Sequence, residues 1–145
     1  MKLSQQLREE KRKLFGVTYK PKKEKLLSPP PKILERVSNA KYNFNKDIDI
    51  AVNNITAWVA NENNILVKDL MSNKRYRKLV DTRHILFFLL YYSLPVTQTY
   101  IGDKFNKHHT SVIHSIKKID ALFINSLDFQ KFIKLFEEFY LQEVA

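Results

Sequence analysis

Residues 107–119, KHHTSVIHSIKKI, gather Lys107, His108, His109, Thr110 and Ser111 directly ahead of an apolar repeat at helical spacing. Each of the five carries a cationic or hydrogen-bonding group, and a helix backbone already presents partial positive charge at its first turn. Crowding cations there costs helix stability unless something negative docks against that end, so the chemistry on offer is anion recognition. The same residues suit one polyanion in particular. His and Thr can hydrogen-bond base edges, a Thr methyl can touch a thymine methyl, and Ser and Lys can hold phosphates. A second cluster, NKRYRK at 73–78, brings Lys74, Arg75, Arg77 and Lys78, with Arg83 shortly after.

The surrounding pattern is helical from about residue 47 onward. Ile48, Val52, Ile55 and Val59 recur at three and four, predicting an amphipathic helix over 47–62 that Asn61, Asn63 and Asn64 stop, with Ala51 and Trp58 beside its apolar face. A short helix follows at 67–72. Asp81 or Thr82 is the expected cap of a third helix, with Ile85, Phe88, Leu89 and Tyr92 as its buried stripe and Pro95 near its end. Thr97 caps TQTYIGDKF, in which Tyr100, Ile101 and Phe105 face the core. Asn106 then serves as turn residue and as cap of the helix at 107–124, whose apolar face is Val112, Ile116, Ile119 and Phe123, with Ile113 at its border. A last helix, about 128–142, packs through Phe132, Leu135, Phe136 and Phe139. The fold class is therefore all-α, a compact bundle of about six helices. Two helices joined by a tight turn, 97–105 and 107–124, make a helix-turn-helix whose second member would enter the major groove N-terminus first.

Residues 1–45 read as a basic, Pro- and Lys-rich arm, with a short charged helix conceivable before Gly16, and 46–145 as one domain. The formal charge of +10 is unevenly placed: residues 1–46 hold 13 Lys and Arg against 4 Glu, and 74–118 hold nine basic residues against Asp81 and Asp103, while the flanks 47–73 and 119–145 are each −3. An acidic, basic, acidic order within one domain points a basic surface at a polyanion. No cysteine is present, which removes disulfides and thiolate metal sites and suits a reducing compartment. The longest apolar run, ILFFLLYY, is too short to span a bilayer, and charges stand where a signal peptide needs apolar residues. His108 and His109 point apart on a helix with no Cys or acidic partner spaced to join them, so no metal site is expected. No Ser-His-acid set, carboxylate pair or cofactor loop stands out, and an enzyme is not expected. Phe87, Phe88, Tyr91 and Tyr92 lack interleaved basic residues and read as core rather than as a base-stacking platform.

From VKDLMSNKRYRKLVDTRH through IGDKFNKHHTSVIHSIKKI the chain resembles the C-terminal DNA-binding domain of the bacterial replication initiator DnaA, a Trp-repressor-like helix-turn-helix, over about residues 48–140. That family's signature, IG, two residues, F, then R-D-H-T-T-V-[LI]-H and K-I, stands here as Ile101, Gly102, Phe105, Lys107, His108, His109, Thr110, Ser111, Val112, Ile113, His114, Lys118 and Ile119. The resemblance implies double-stranded DNA as the partner. It implies minor-groove insertion of Arg75, and phosphate contacts from Lys74, Arg77, Lys78, Arg83 and Ser111. His109 and Thr110 would read bases in the major groove, with Lys107 and His108 beside them. His108 stands where the family has Asp. Asp accepts from a cytosine amino group, whereas His donates or accepts according to tautomer, which bears on the preferred site.

The full initiator also has an ATPase module. With only Gly16 and Gly102 available, no Gly-rich phosphate loop exists in this chain, so a free-standing DNA-binding domain with a basic arm and no nucleotide cofactor is expected. The expected setting is cytoplasmic and nucleoid-associated, in replication initiation, its regulation or repression of a nearby promoter, on a phage, a mobile element or as an accessory host factor. Replication or virion proteins are further candidate partners. The alternative is a structural or assembly adaptor that keeps the helix-turn-helix fold for protein contacts.

Overall fold

The computed structural model describes residues 29–41, 44–123 and 125–144; the short helix conceivable before Gly16 lies outside them. The described residues form seven α-helices and no strand. A 3-10 turn at Lys32–Leu34 runs into α1 (Glu35–Ala40), followed by α2 (Ile48–Glu62), α3 (Val67–Leu70), α4 (Arg77–Ser93), α5 (Gln98–Lys104), α6 (His109–Leu122) and α7 (Leu127–Val144). The all-α expectation therefore holds, with one helix more than the periodicity showed.

That extra helix falls inside the stretch read as an arm. Leu34 and Val37 are fully buried against the bundle, and Arg36 Nη1 donates to Glu137 Oε1 on α7 at 2.9 Å. Two buried aliphatic side chains stabilise by about 1.5–3 kcal/mol each, enough to draw a short helix out of a Pro- and Lys-rich context. The packed structure accordingly begins well before residue 46.

Asp47 caps α2, its carboxylate accepting from the Asp49 and Ile50 backbone N–H groups at 2.9 and 3.3 Å. The helix buries Val52, Ile55, Val59 and Ala60 and ends where Asn64 turns left-handed at φ 55°. At the centre lies α4, buried on every side over Leu86–Leu90 because α1, α2, α5 and α6 all pack on it. Its aromatics are core, as expected: Phe87 meets Phe105 edge-on, Phe88 meets Tyr92 and Phe129, and Tyr91 is half-buried. The helix starts at Arg77, several residues before the expected caps, because Leu79 is itself a core residue and Arg and Lys are good helix formers. Arg77 and Lys78 thus stand on the first turn of α4 rather than in the loop.

On α7 the buried stripe is Phe129, Ile133, Phe136 and Tyr140, at spacings of four, three and four. Leu135, expected in the core, lies outside that stripe and is half exposed to solvent. Phe132 and Phe139 instead flank it and enclose the Trp58 ring, with centroids 5.3 Å from each. The Tyr140 hydroxyl donates to the Ser93 carbonyl at the end of α4, tying the last helix to the central one. Among the described residues no helix is long and apolar enough to cross a membrane.

Candidate nucleic-acid interface

Thr97 caps α5 through its hydroxyl, which accepts from Tyr100 N–H at 3.0 Å, and Ile101 and Phe105 carry the helix into the core. The chain then reverses through Asn106, left-handed at φ 55°, while Lys107 N–H reaches back to Gly102 O at 2.7 Å. This 6→1 bond closes a Schellman-type turn, and Asn tolerates the left-handed conformation better than most residues. Asn106 is the turn residue but not the cap of the next helix. His108 is the cap: its ring Nδ1 accepts from Thr110 N–H at 3.2 Å, and α6 begins at His109 rather than at Lys107.

Gly102 fixes how closely the two helices approach. A Cβ built there would lie 2.5 Å from Lys107 O and 3.3 Å from His109 N. Only a residue without a side chain lets α5 touch the backbone at the start of α6. Val112, Ile116 and Ile119 bury the inner face of α6 against α4, and that packing leaves His108, His109, Thr110 and Ser111 exposed at its free end.

The basic loop between α3 and α4 is shaped from within by Arg83. Its guanidinium is almost fully buried and donates to four carbonyls: Nε to Leu70 at 3.0 Å, Nη1 to Lys74 at 2.6 Å, and Nη2 to Asp69 and Ser72 at 2.9 and 2.6 Å. Four of five N–H groups are thereby committed to the loop, so one donor remains for the expected phosphate contact. Ser72 Oγ adds a bond to Asp69 O and receives Lys74 N–H. Around this frame Lys74, Arg75, Arg77 and Lys78 are exposed; Lys74 pairs with Asp69 at 3.3 Å and Arg77 with Asp81 at 3.7 Å.

Loop and helix end meet across one cleft of about 430 Å³, lined by Arg75, His84, Lys107, Thr110, His114 and Ser115 among others. Among the described residues, none of the ion pairs engages Arg75, Lys78 or Lys107. Burial, joined by repulsion from Arg83 and Arg75, holds the Lys107 ammonium below its ordinary value. An anion placed in the cleft would relieve that repulsion. The cationic crowding evident in the sequence is therefore real in three dimensions, and residues from two separate segments share it.

The floor of the cleft contains a tie that the sequence did not single out. His84 Nδ1 lies 2.7 Å from Ser115 Oγ, which donates to Ser111 O at 2.9 Å. Since the hydroxyl proton is used on that carbonyl, His84 Nδ1–H is the donor, linking α4 to α6. Burial first, then Lys118 and His114 against the opposing Asp81, lowers the His84 pKa. The unfolded chain therefore takes up this proton before the folded one does, and stability falls as pH drops below about 6.5. Urea midpoints measured from about pH 8 to pH 5 should decline less in His84→Gln than in the native chain. Parallel declines would remove His84 from the account.

A family model described as "Bacterial dnaA protein helix-turn-helix" matches residues 52–119. The chromosomal replication initiator proteins DnaA of Rickettsia canadensis (strain McKiel) and Rickettsia massiliae (strain Mtu5) are each 36% identical over 87 residues, and that of Rickettsia bellii (strain OSU 85-389) is 37% identical over the same length. In each case the match covers 59% of this chain but 19% of the relative. The matched stretch runs from α2 through α6 and includes the Arg83-shaped loop, the Gly102 contact and the capped end of α6. Residues 52–119 of this chain are thus similar throughout to the helix-turn-helix of bacterial DnaA proteins.

Proposed function

We propose that the chain binds double-stranded DNA sequence-specifically, in replication initiation or its regulation, at the nucleoid. The reading extends to a setting on a phage or mobile element, or as an accessory host factor. In this reading the N-terminal end of α6 enters the major groove, where His109 and Thr110 contact base edges beside Lys107 and His108, and Ser111 holds backbone. The loop at 73–78 follows the adjacent minor groove with Arg75 inserted, flanked by phosphate contacts from Lys74, Arg77 and Lys78, and Arg83 turns its remaining donor the same way. The observation that carries the proposal is the shared cleft, which sets Arg75 and Lys107 on one surface without a carboxylate partner for either among the described residues.

Selection of random duplexes at about 150 mM salt, then titration of the winner against a scrambled duplex, tests it. His109→Ala or Thr110→Ala should weaken the winner by about 1–3 kcal/mol and leave the scrambled duplex nearly unaffected. Lys78→Ala should weaken both alike and reduce the salt slope by about one. A protein that enriches no sequence would be the adaptor instead.

A further inference from the structure

The cap of α6 fixes which atoms of the reading end can donate. The Thr110 backbone N–H has a hydrogen to give and nothing to accept with, and it points at His108 Nδ1 from 3.2 Å. A protonated Nδ1 would set two hydrogens against each other, so Nδ1 is bare. The Thr110 hydroxyl lies 2.7 Å from the same nitrogen and, for the same reason, turns its proton toward it. The neutral ring must then carry its hydrogen on Nε2. That nitrogen lies across the ring from the cap, on a side chain that is exposed; because His108 is the extended cap and not a helical residue, its ring does not point away from that of His109 as expected but lies against it at a centroid distance of 4.4 Å. The tautomer and the direction of the ring are thus both set by the bonds of Nδ1 to Thr110.

We infer that His108 is a specificity-determining residue that presents Nε2–H as a fixed donor and selects guanine at one position of the site. In the major groove guanine shows only acceptors, N7 and O6, whereas cytosine shows the N4 amino donor and adenine sets an amino group beside its N7. A lone donor therefore finds two acceptors on guanine against one on thymine, whose O4 stands beside a methyl group, and is repelled by cytosine. Thr110, with its hydroxyl proton turned inward, offers the groove an oxygen acceptor and a methyl group.

This inference rests on the DNA-binding reading above, and its test separates the two. His108→Asn keeps the cap through its amide oxygen and keeps a donor through its amide nitrogen; His108→Asp keeps the cap and replaces the donor by an acceptor. Random-duplex selection with the native chain and both variants should enrich one site, with guanine at one position for native and Asn. The Asp variant should turn that position to cytosine or adenine and leave the rest of the site unchanged. Titration of the G·C and C·G versions should show a native preference on the order of tenfold, reversed in Asp.

If all three proteins choose the same base, the role of His108 is overturned and the DNA-binding reading stands. If the native chain enriches nothing, both fall. A readout without DNA is the imidazole proton itself: long-range proton–nitrogen spectra at about pH 8, where a free imidazole is neutral, should place it on Nε2 of His108. A proton found on Nδ1 would overturn the inference.

Discussion

Gly102→Ala should lower the unfolding free energy of this protein by about 2 kcal/mol, although the same change inside an exposed helix stabilises by about 1 kcal/mol. The reversal comes from one distance. A Cβ at 102 meets Lys107 O at 2.5 Å, and that atom is backbone within a turn already held by the Lys107 N–H to Gly102 O bond. No flexible side-chain end is available to move, so α5 and α6 must separate or the turn must shift. Either response displaces His108 and His109, whose backbone is the next nearest to the new methyl.

The consequence for recognition should exceed the consequence for stability. In the proposed complex, misplacing the start of α6 would disturb several base contacts together, each worth about 1–3 kcal/mol of discrimination. The variant should therefore lose most of its preference between the selected and scrambled duplexes and still bind both through phosphates. Urea unfolding and paired titrations read the two effects separately. Asn106→Gly is the natural control, since glycine accepts φ 55° without strain and should leave both quantities nearly unchanged. A stable, fully discriminating Gly102→Ala protein would mean that the interhelix contact is not what positions the reading residues.

How much of this arrangement could be read without coordinates depended on whether its cause was local. The helices at 48–62 and 98–104 follow from apolar spacing; Thr97 accepts the N–H bond expected of a cap, while Asp47, which the spacing did not mark, caps the other. The exposed N-terminal end of α6 is visible because it crowds cationic and hydrogen-bonding side chains into one turn, whereas the capping role of His108 depends on a backbone conformation the residue types do not report. Leu135 escapes the core because the register of Phe129, Ile133, Phe136 and Tyr140 turns the buried face by part of a turn from the one that Phe132, Phe136 and Phe139 suggest. Packing against α1 and α4 decides that register, and nothing within the segment reports it. The burial of Leu34 and Val37 and the His84–Ser115 tie are likewise long-range, the latter joining residues 31 positions apart. Arg83 is the instructive case. A basic residue at the edge of a basic cluster reads as one more contact for an anion, and only the four carbonyls around it show what it does for the loop.

That assignment makes Arg83→Lys the most informative single change in the basic loop. If Arg83 served mainly as a phosphate contact, lysine would keep the charge and most of the affinity, and the free protein would be as stable as before. The geometry leads to the opposite expectation. Carbonyls of Asp69, Leu70, Ser72 and Lys74 converge on a planar fork, and a single ammonium with three hydrogens cannot reach all four. Leaving at least one carbonyl without its donor in Arg83→Lys, and all four in Arg83→Ala, should cost about 2–4 kcal/mol in the free protein, with both variants measured by denaturant unfolding. DNA affinity should fall for every duplex alike, because the loop presenting Lys74 and Arg75 loses its shape while α6 keeps its own. The selected base sequence should stay the same in whatever binding remains. A lysine variant of native stability and native affinity would instead return Arg83 to the list of simple phosphate contacts and leave the shape of the loop to Ser72 and the Lys74–Asp69 pair.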